Sequence, residues 1–220
     1  MKITYNDIRK NDTVNTFIEK ADEALLALGY TEHSFPHVCK VAEMAGRILT
    51  ELGYDEHTVE LAKIAGYMHD IGNVVNRIDH AQSGAIMAFR ILDKLGMDDE
   101  DIATIISAIG NHDESTAYPV NVVTAALIIA DKSDVRETRV RSVADIEADI
   151  HDRVNYAVKE QRFDIDITNK RMLLTLEVDT DISEVMEYFE IFLGRMKLCK
   201  KAANKLGYEY KLNINHQEMA

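Results

Sequence analysis

The spacing of hydrophobic residues predicts helices along most of the chain. From about residue 13 to residue 161, apolar side chains recur every three or four positions, which places them on one face of a helix. Small residues such as Gly66 in the second predicted helix would let another helix approach closely. The predicted helices cover residues 36–53, 58–72, 79–96, 101–110, 119–131 and 143–161.

The pattern changes to strict alternation after Arg162. Apolar and polar residues alternate over residues 163–168 and again over 174–179, and Asn169-Lys170 can turn the chain between them, which predicts a hairpin. Asp181 and Glu184 predict a capping-box start for a long helix that ends at Gly207, before a third strand over 208–214. The predicted fold is mainly α: a helical bundle over residues 1–161, then a β-β-α-β unit over 162–220, packed on the bundle or on a partner subunit.

Composition agrees with a globular protein. The 220 residues, 46% of them hydrophobic, fit one domain or one domain with a small appendage. The longest apolar run is far shorter than the about 20 residues that cross a membrane. The first residues do not read as a secretory signal, so we expect a cytoplasmic protein without membrane contact. Two cysteines outside any metal or redox spacing argue against a disulfide framework.

The charge of the chain bears on its partners. A net charge of −13 would repel a nucleic-acid polymer, whose binding depends on many Lys and Arg contacts to phosphate. We therefore expect no nucleic-acid polymer as partner. A phosphorylated substrate should be small, with its charge neutralised locally by metal ions and a few basic side chains.

A set of histidines and aspartates predicts a buried metal site. Each lies beside or at the end of an apolar stretch, where helix ends can converge. Neutral imidazole and carboxylate suit first-row metals, and the lack of thiolates in the set argues against a structural zinc site. The candidate ligands are His37, His69, Asp70, His80, His112 and Asp131.

The order of these residues resembles the HD-domain metallohydrolase superfamily, and specifically its members that carry two metal ions. The resemblance covers roughly residues 30 to 140 and extends beyond the ligands themselves. It implies an HD-type helical bundle for the first part of the chain. The matching segments are His37-Val-Cys-Lys-Val-Ala-Glu, Gly66-Tyr-Met-His-Asp-Ile-Gly72, Asp79-His-Ala-Gln-Ser-Gly84, Gly110-Asn-His-Asp113 and Ala130-Asp-Lys-Ser-Asp134.

The resemblance also implies how two divalent ions, most simply iron or manganese, would be held. The first ion would take His37, His69, Asp70 and Asp131, whereas the second would take Asp70, His80 and His112. Asp70 would then be the bridging, catalytic ligand. Two ions about 3.5–4 Å apart can hold a hydroxide nucleophile between them and offset charge on a phosphoryl group. The implied chemistry is hydrolysis of a phosphate ester or anhydride in a small nucleotide-like substrate.

One departure from the family concerns substrate contact. Many HD phosphodiesterases have a lysine after the His-Asp-Ile-Gly segment, but this chain has Asn73, which weakens the case for a cyclic-dinucleotide phosphodiesterase. Arg77 and Lys132 are the preferred phosphate contacts, because one lies on the loop between two ligands and the other follows Asp131. Alternatively, the basic residues of this region only balance local acids such as Asp134.

Two other functions use the same residues. Some HD proteins hold a mixed-valence iron pair with this ligand set and act as oxygenases, which sequence alone does not distinguish. The chain could also be a nucleotide sensor without turnover, whose β-β-α-β unit signals to a partner or pairs across a homodimer. The remaining histidines are expected on the surface or, for His151, in solvent or an interface; the surface set is His33, His57 and His216.

Overall fold

The structure is a computed structural model that describes residues 3–141, 146 and 149–219. In these residues the fold is mainly α, as predicted, with a small sheet at the C-terminal end. Short 3-10 turns at Ile71–Val74 and Glu137–Arg139 join some of the helices. The helices before the sheet are α1 Tyr5–Arg9, α2 Asp12–Ala27, α3 Phe35–Glu51, α4 Glu56–Met68, α5 His80–Leu95, α6 Asp99–Gly110, α7 Val122–Lys132 and α8 Ile150–Ala157.

The C-terminal unit has the predicted β-β-α-β order with one short strand added. Strands β1 (Val158–Asp166) and β2 (Arg171–Val178) form the hairpin, α9 (Val185–Lys205) crosses over, and β3 (Glu209–Ile214) returns beside β2. The first pair is antiparallel, and β2 and β3 are parallel. A crossover helix is the usual connection between parallel neighbours. The added strand is β4 (Gln217–Glu218), antiparallel to β3.

Helix α7 lies at the centre of the molecule. Every residue from 123 to 132 is buried, and α7 packs against α3, α4, α6 and α9. The bundle and the C-terminal unit therefore share a continuous hydrophobic core. Helices α3 and α4 touch closely at Gly66, where a Cβ would lie 2.7 Å from the Ala42 Cα. The predicted close helix approach at this glycine is confirmed. The division into domains at residue 161 stays a prediction.

Both predicted capping boxes are wrong. Asp79 does precede α5, but it adopts a left-handed conformation with φ of 58°, and its side chain makes no capping hydrogen bond. Gln82 instead donates to the Thr116 hydroxyl at 3.0 Å. Helix α9 begins at Val185, so Glu184 rather than Asp181 occupies the N-cap, again without a side-chain capping bond. The predicted N-cap position of Asp79 is thus confirmed without its side-chain bond, whereas the N-cap of α9 lies three residues beyond Asp181.

The last predicted helix of the bundle is shorter than expected. Its start at Val143 lies outside the described residues, and α8 ends at Ala157 rather than at residue 161. The chain is already in β1 from Val158, which pairs with Val178 of β2. Tertiary pairing thus overrides a helical spacing of apolar residues. Within the described part of the chain, no helix combines the length and apolar character that a membrane span requires.

Candidate metal centre

The structure brings all six candidate ligands together in one buried cluster. His37 lies in the first turn of α3, and His69 and Asp70 follow α4 directly. His80 is the first residue of α5, His112 lies just after α6, and Asp131 belongs to the last turn of α7. Five helices therefore present their ends to one point. Three groups have ligand atoms within 4.8 Å of one another: His37, His69 and Asp70; His69, His112 and Asp131; Asp70, His80 and His112.

Asp70 faces a different pair of imidazoles with each of its oxygens. Its Oδ2 lies 3.6 Å from the His37 Nε2 and 3.2 Å from the His69 Nε2. Its Oδ1 lies 3.5 Å from the His80 Nε2 and 3.9 Å from the His112 Nε2. A carboxylate placed in this way can serve two cations at once, one on each oxygen.

Asp131 completes one side of the cluster. Its Oδ1 lies 3.4 Å from the His37 Nε2 and 3.7 Å from the His69 Nε2. We call His37, His69 and Asp131 the first half of the centre. His80 and His112 form the second half, and Asp70 lies between the halves.

Every imidazole of the cluster is oriented through its Nδ1 atom. The His37 Nδ1 lies 2.8 Å from the Asp134 Oδ2. The other three Nδ1 atoms lie 2.6 to 3.0 Å from backbone carbonyls, those of Gly66 for His69, Arg77 for His80 and Ile109 for His112. Because these oxygens only accept, each neutral ring carries its proton on Nδ1. The lone pair of each Nε2 is then directed into the cluster, as in metal-ligating histidines.

The donor set fits divalent metal ions. The buried Nε2 atoms of His37 and His69 have no hydrogen-bond partner among the described residues. The Nε2 atoms of His80 and His112 lie 3.2 Å apart. Burying a lone pair without a partner is costly, and two lone pairs at this distance repel unless a cation lies between them. Imidazole and carboxylate are ligands for first-row divalent metals, so such ions would satisfy all of these atoms.

The two halves differ in electrostatic environment. Burial lowers the pKa of His69, but the charges of Asp70 and Asp131 outweigh burial, and the pKa lies above its ordinary value. In contrast, burial and the charges of His69 and Lys132 lower the pKa of His112 to about 3. Burial also lowers the pKa of His80. The first half therefore lies in a more negative potential than the second.

Two polar residues that orient the ligands were not identified from the sequence. Asp134 binds His37 and is itself held by the Lys40 Nζ at 2.8 Å and the Arg136 Nε at 2.9 Å. The buried Asn73 donates from Nδ2 to the Asp70 Oδ1 at 2.9 Å. Both follow a ligand by three residues, a spacing that returns a side chain to the same side of a helical turn.

Gly72 allows the second half to form. It lies in the 3-10 turn Ile71–Val74, which packs against the start of α5. A Cβ at this position would lie 2.0 Å from the backbone oxygen of His80 and 2.5 Å from the backbone nitrogen of Gly84. Backbone atoms at these distances have to move, so any larger side chain would displace His80 from Asp70.

The two predicted phosphate contacts lie beside the cluster in different settings. The half-buried Arg77 places Nη1 at 3.3 Å from the Asn73 Oδ1 and 3.5 Å from the His80 Nε2. The buried Lys132 places Nζ at 2.7 Å from the Asp131 Oδ2 and 3.2 Å from the Glu114 Oε2. Arg77 thus borders the second half, whereas Lys132 is enclosed by two carboxylates next to the first.

The remaining histidines show one clear difference from expectation. His33 is half-buried, with its ring centroid 5.4 Å from that of His37 and its Nδ1 bound to the Thr31 carbonyl at 2.6 Å. The prediction of a surface residue is wrong there, because the loop before α3 folds over the cluster. His57, also predicted on the surface, keeps 40% of its side chain exposed and pairs with Asp101 at 2.7 Å. His151 and His216 are exposed, as predicted.

Comparison with known proteins gives one family. The model of the HD domain matches residues 35–157, which is more than half of the chain. An uncharacterized protein of Methanocaldococcus jannaschii is 27% identical over 162 residues, covering 64% of this chain and 62% of that protein. Ribonuclease Y of Latilactobacillus sakei is 34% identical over 99 residues, covering 44% of this chain and 18% of the enzyme.

The chain thus spans less than two thirds of the length of either relative. A solved structure is also similar: that of a predicted HD superfamily hydrolase from an uncultured Thermotogales bacterium. It is 24% identical, with a TM-score of 0.45, over 62% of this chain and 72% of that chain.

Proposed function

The chain belongs to the HD domain family, and from this premise we propose that it is a metal-dependent phosphohydrolase with a two-metal centre. Its substrate would be a small phosphorylated molecule of the nucleotide class. The first ion would be held by His37, His69, Asp70 and Asp131, and the second by Asp70, His80 and His112. Iron and manganese are the proposed metals, since both accept this mixture of nitrogen and oxygen ligands.

One observation carries the proposal: the two oxygens of Asp70 face separate pairs of imidazoles, and the Nε2 atoms of His37 and His69 have no hydrogen-bond partner among the described residues. A single ion would bind one Asp70 oxygen with its pair of imidazoles and leave the other pair without a cation. When bound, two divalent ions supply a water of lowered pKa and positive charge against a phosphoryl group. The same site without metal would retain several unpaired buried atoms, which favours occupation.

The surrounding side chains would hold the ligands in one orientation. Asn73 fixes the rotation of Asp70 through its bond to Oδ1, and Asp134 fixes the His37 ring. Such partners of metal ligands commonly contribute about 10–100-fold to metal affinity or activity. At the position of the family lysine, Asn73 therefore donates a hydrogen bond to the Asp70 carboxylate and offers no cation to a substrate phosphate.

Two basic side chains, Arg77 beside the second half and Lys132 beside the first, would offset the negative charge of the substrate phosphate. The half-buried Arg77 guanidinium lies 5.4 Å from the ring centroid of Tyr30 and borders the second half beside His80. A guanidinium can donate two parallel hydrogen bonds to a phosphate, so Arg77 is the proposed direct contact. Lys132 is engaged by Asp131 and Glu114, and its proposed contribution is the local potential.

The similarity to Ribonuclease Y supports a second candidate, hydrolysis of an RNA phosphodiester. The net charge of −13 favours a small substrate instead, because binding to a polymer relies on many cationic contacts. The oxygenase and sensor functions also stay as predictions. Oxygen uptake that depends on iron would support the oxygenase, and tight nucleotide binding without turnover would support the sensor.

The test begins with protein stripped by a chelator and reloaded with Mn²⁺ or Fe²⁺. A panel of mononucleotides, dinucleoside polyphosphates and short RNA is then assayed for release of phosphate or nucleotide. We expect metal-dependent turnover of a small nucleotide that is abolished by Asp70→Ala and kept by His216→Ala, a control at an exposed histidine. Absence of turnover across the panel, with both ions bound, would contradict the proposal. Preference for RNA would select the second candidate.

A further inference from the structure

We propose that Arg195 of α9, outside the region that matches the HD domain, is a positioning residue that holds the metal ligand Asp131 through Glu114 and Lys132. The inference rests on the proposed function, because it concerns the same metal centre. It assigns a role to the C-terminal unit that the family match does not cover, since that match ends at residue 157.

A continuous chain of opposite charges joins α9 to the centre. The Arg195 Nε lies 2.7 Å from the Glu114 Oε1, and the Glu114 Oε2 lies 3.2 Å from the Lys132 Nζ. The Lys132 Nζ lies 2.7 Å from the Asp131 Oδ2. The other oxygen of Asp131 faces His37 and His69. The two inner residues, Glu114 and Lys132, therefore each lie between two groups of the opposite charge.

The Lys132 contact determines which oxygen of Asp131 faces the metal site. With Oδ2 bound to the ammonium, Oδ1 is directed towards the imidazoles of the first half. Lysine has a long flexible side chain, and a second anion is needed to keep its ammonium in one place. Glu114 is that anion. It also follows His112 by two residues, so the same contact restrains the segment that carries a ligand of the second half.

Arg195 balances the charge of Glu114. Only 26% of the Glu114 side chain is exposed, and each of its oxygens faces a cation, Oε1 the Arg195 guanidinium and Oε2 the Lys132 ammonium. Without Arg195, Glu114 would depend on Lys132 alone and would compete with Asp131 for the ammonium. The guanidinium is itself held in place over the Phe192 ring, 4.4 Å from its centroid. A variant that removes the Arg195 charge should therefore weaken the contact of Lys132 with Asp131 and leave Asp131 less firmly held.

In the alternative, purely structural role, the Arg195–Glu114 ion pair would only hold α9 against the bundle. The two roles predict different results for Mn²⁺ binding to the chelator-stripped full chain, measured by titration calorimetry beside the melting temperature. We expect Arg195→Gln to raise the Mn²⁺ dissociation constant about ten-fold, at the lower end of what partners of metal ligands contribute. Arg195→Lys should restore part of this loss, because it keeps the charge.

Three further variants complete the design. Glu114→Gln changes the bundle's member of the same ion pair and should also weaken Mn²⁺ binding. The double variant Glu114→Gln/Arg195→Gln should bind Mn²⁺ as Glu114→Gln does, because both changes interrupt the same series of contacts to Asp131. Arg171→Gln is the matched control: it removes another arginine of the C-terminal unit, whose exposed side chain pairs with Glu209 at 3.8 Å. This control should bind Mn²⁺ like the wild type.

The outcomes separate the two proposals. If the wild type binds Mn²⁺ and both single variants bind equally tightly while folded, Arg195 is not a positioning residue, although the metal centre stands. The inference would also be overturned if the Mn²⁺ affinity fell only in proportion to the melting temperature and the Arg171 variant showed the same loss. That result would indicate a structural role. If the wild type binds no divalent ion at all, both proposals fail.

Discussion

The two halves of the centre hold their ligands in different ways. In the first half, His37 is oriented by the carboxylate of Asp134 and Asp131 by the ammonium of Lys132. In the second half, His80 and His112 are oriented by backbone carbonyls, as is His69 of the first half. Hydrogen bonds to charged groups are roughly twice as strong as those between neutral groups. The first half should accordingly be the more rigid.

Charge differs between the halves as well as rigidity. The first half has a carboxylate ligand of its own, Asp131, whereas the second half has none and is bordered by the Arg77 guanidinium. An ion in the first half should therefore bind more tightly. A substrate phosphate is proposed to meet the second half, because the Arg77 guanidinium borders it. One cluster would combine a firmly held ion with a more exchangeable one that meets the substrate.

Removing one imidazole from each half gives the largest expected contrast. His80→Ala should leave one Mn²⁺ bound with nearly wild-type affinity, because the first half keeps all its ligands. His37→Ala should weaken binding of the tighter ion more than about 100-fold, because loss of a ligand costs more than loss of a residue that orients a ligand. Equilibrium dialysis with Mn²⁺ measures both. Equal losses in the two variants would show that the halves do not differ.

Asp134→Ala tests whether charge makes the first half rigid. The substitution frees the His37 ring and leaves Lys40 and Arg136 without a buried carboxylate. We expect about 10–100-fold weaker Mn²⁺ binding and a loss of about 3 kcal/mol in the free energy of unfolding by urea. Glu51→Ala is the control, because Glu51 pairs with Arg47 at the surface. If Asp134→Ala binds Mn²⁺ normally, orientation by Asp134 is unimportant.

Gly72→Ala should disturb the second half selectively. The added methyl group would meet the His80 backbone oxygen at 2.0 Å, so the start of α5 has to move away from Asp70. Overpacking of this kind costs about 1–3 kcal/mol. Gly194→Ala is the matched control, since among the described residues nothing lies within 4 Å of its Cβ. Calorimetry should show one retained ion in the Gly72 variant, and two retained ions would contradict the assignment.

Arg77→Met carries the smallest expected effect. It removes the guanidinium at the second half while keeping an unbranched side chain. Because Arg77 is proposed to contact substrate and no metal, KM should rise about ten-fold, equivalent to about 1.4 kcal/mol, with metal content unchanged. Steady-state kinetics on the substrate identified by the panel measures this rise. An unchanged KM would remove Arg77 from the substrate site.

Much of this centre could be predicted from the sequence. The apolar spacing located α3, α4, α6 and α7 to within a few residues, and the ordered histidines and aspartates named all the residues that converge. That succeeds because each ligand lies at a helix end, where local pattern is informative. The resemblance supplied the pairing of ligands, which spacing alone does not determine.

The remaining features depend on contacts between distant segments. Glu114 and Arg195 lie far apart in the chain, and only the packing of α9 on α7 joins them. Asp79 reads as a capping residue, but its positive φ follows from the turn that precedes α5. His33 reads as a surface residue until the loop is placed against His37. Each case requires tertiary structure that local periodicity does not contain.

The most direct test of the central claim is the number of metal ions that one chain binds. Chelator-stripped protein titrated with Mn²⁺ should bind two ions per chain, the first more tightly than the second, and Asp70→Ala should lose both sites. A wild-type stoichiometry of one ion or none, or an Asp70→Ala variant that still binds two, would contradict the two-metal account.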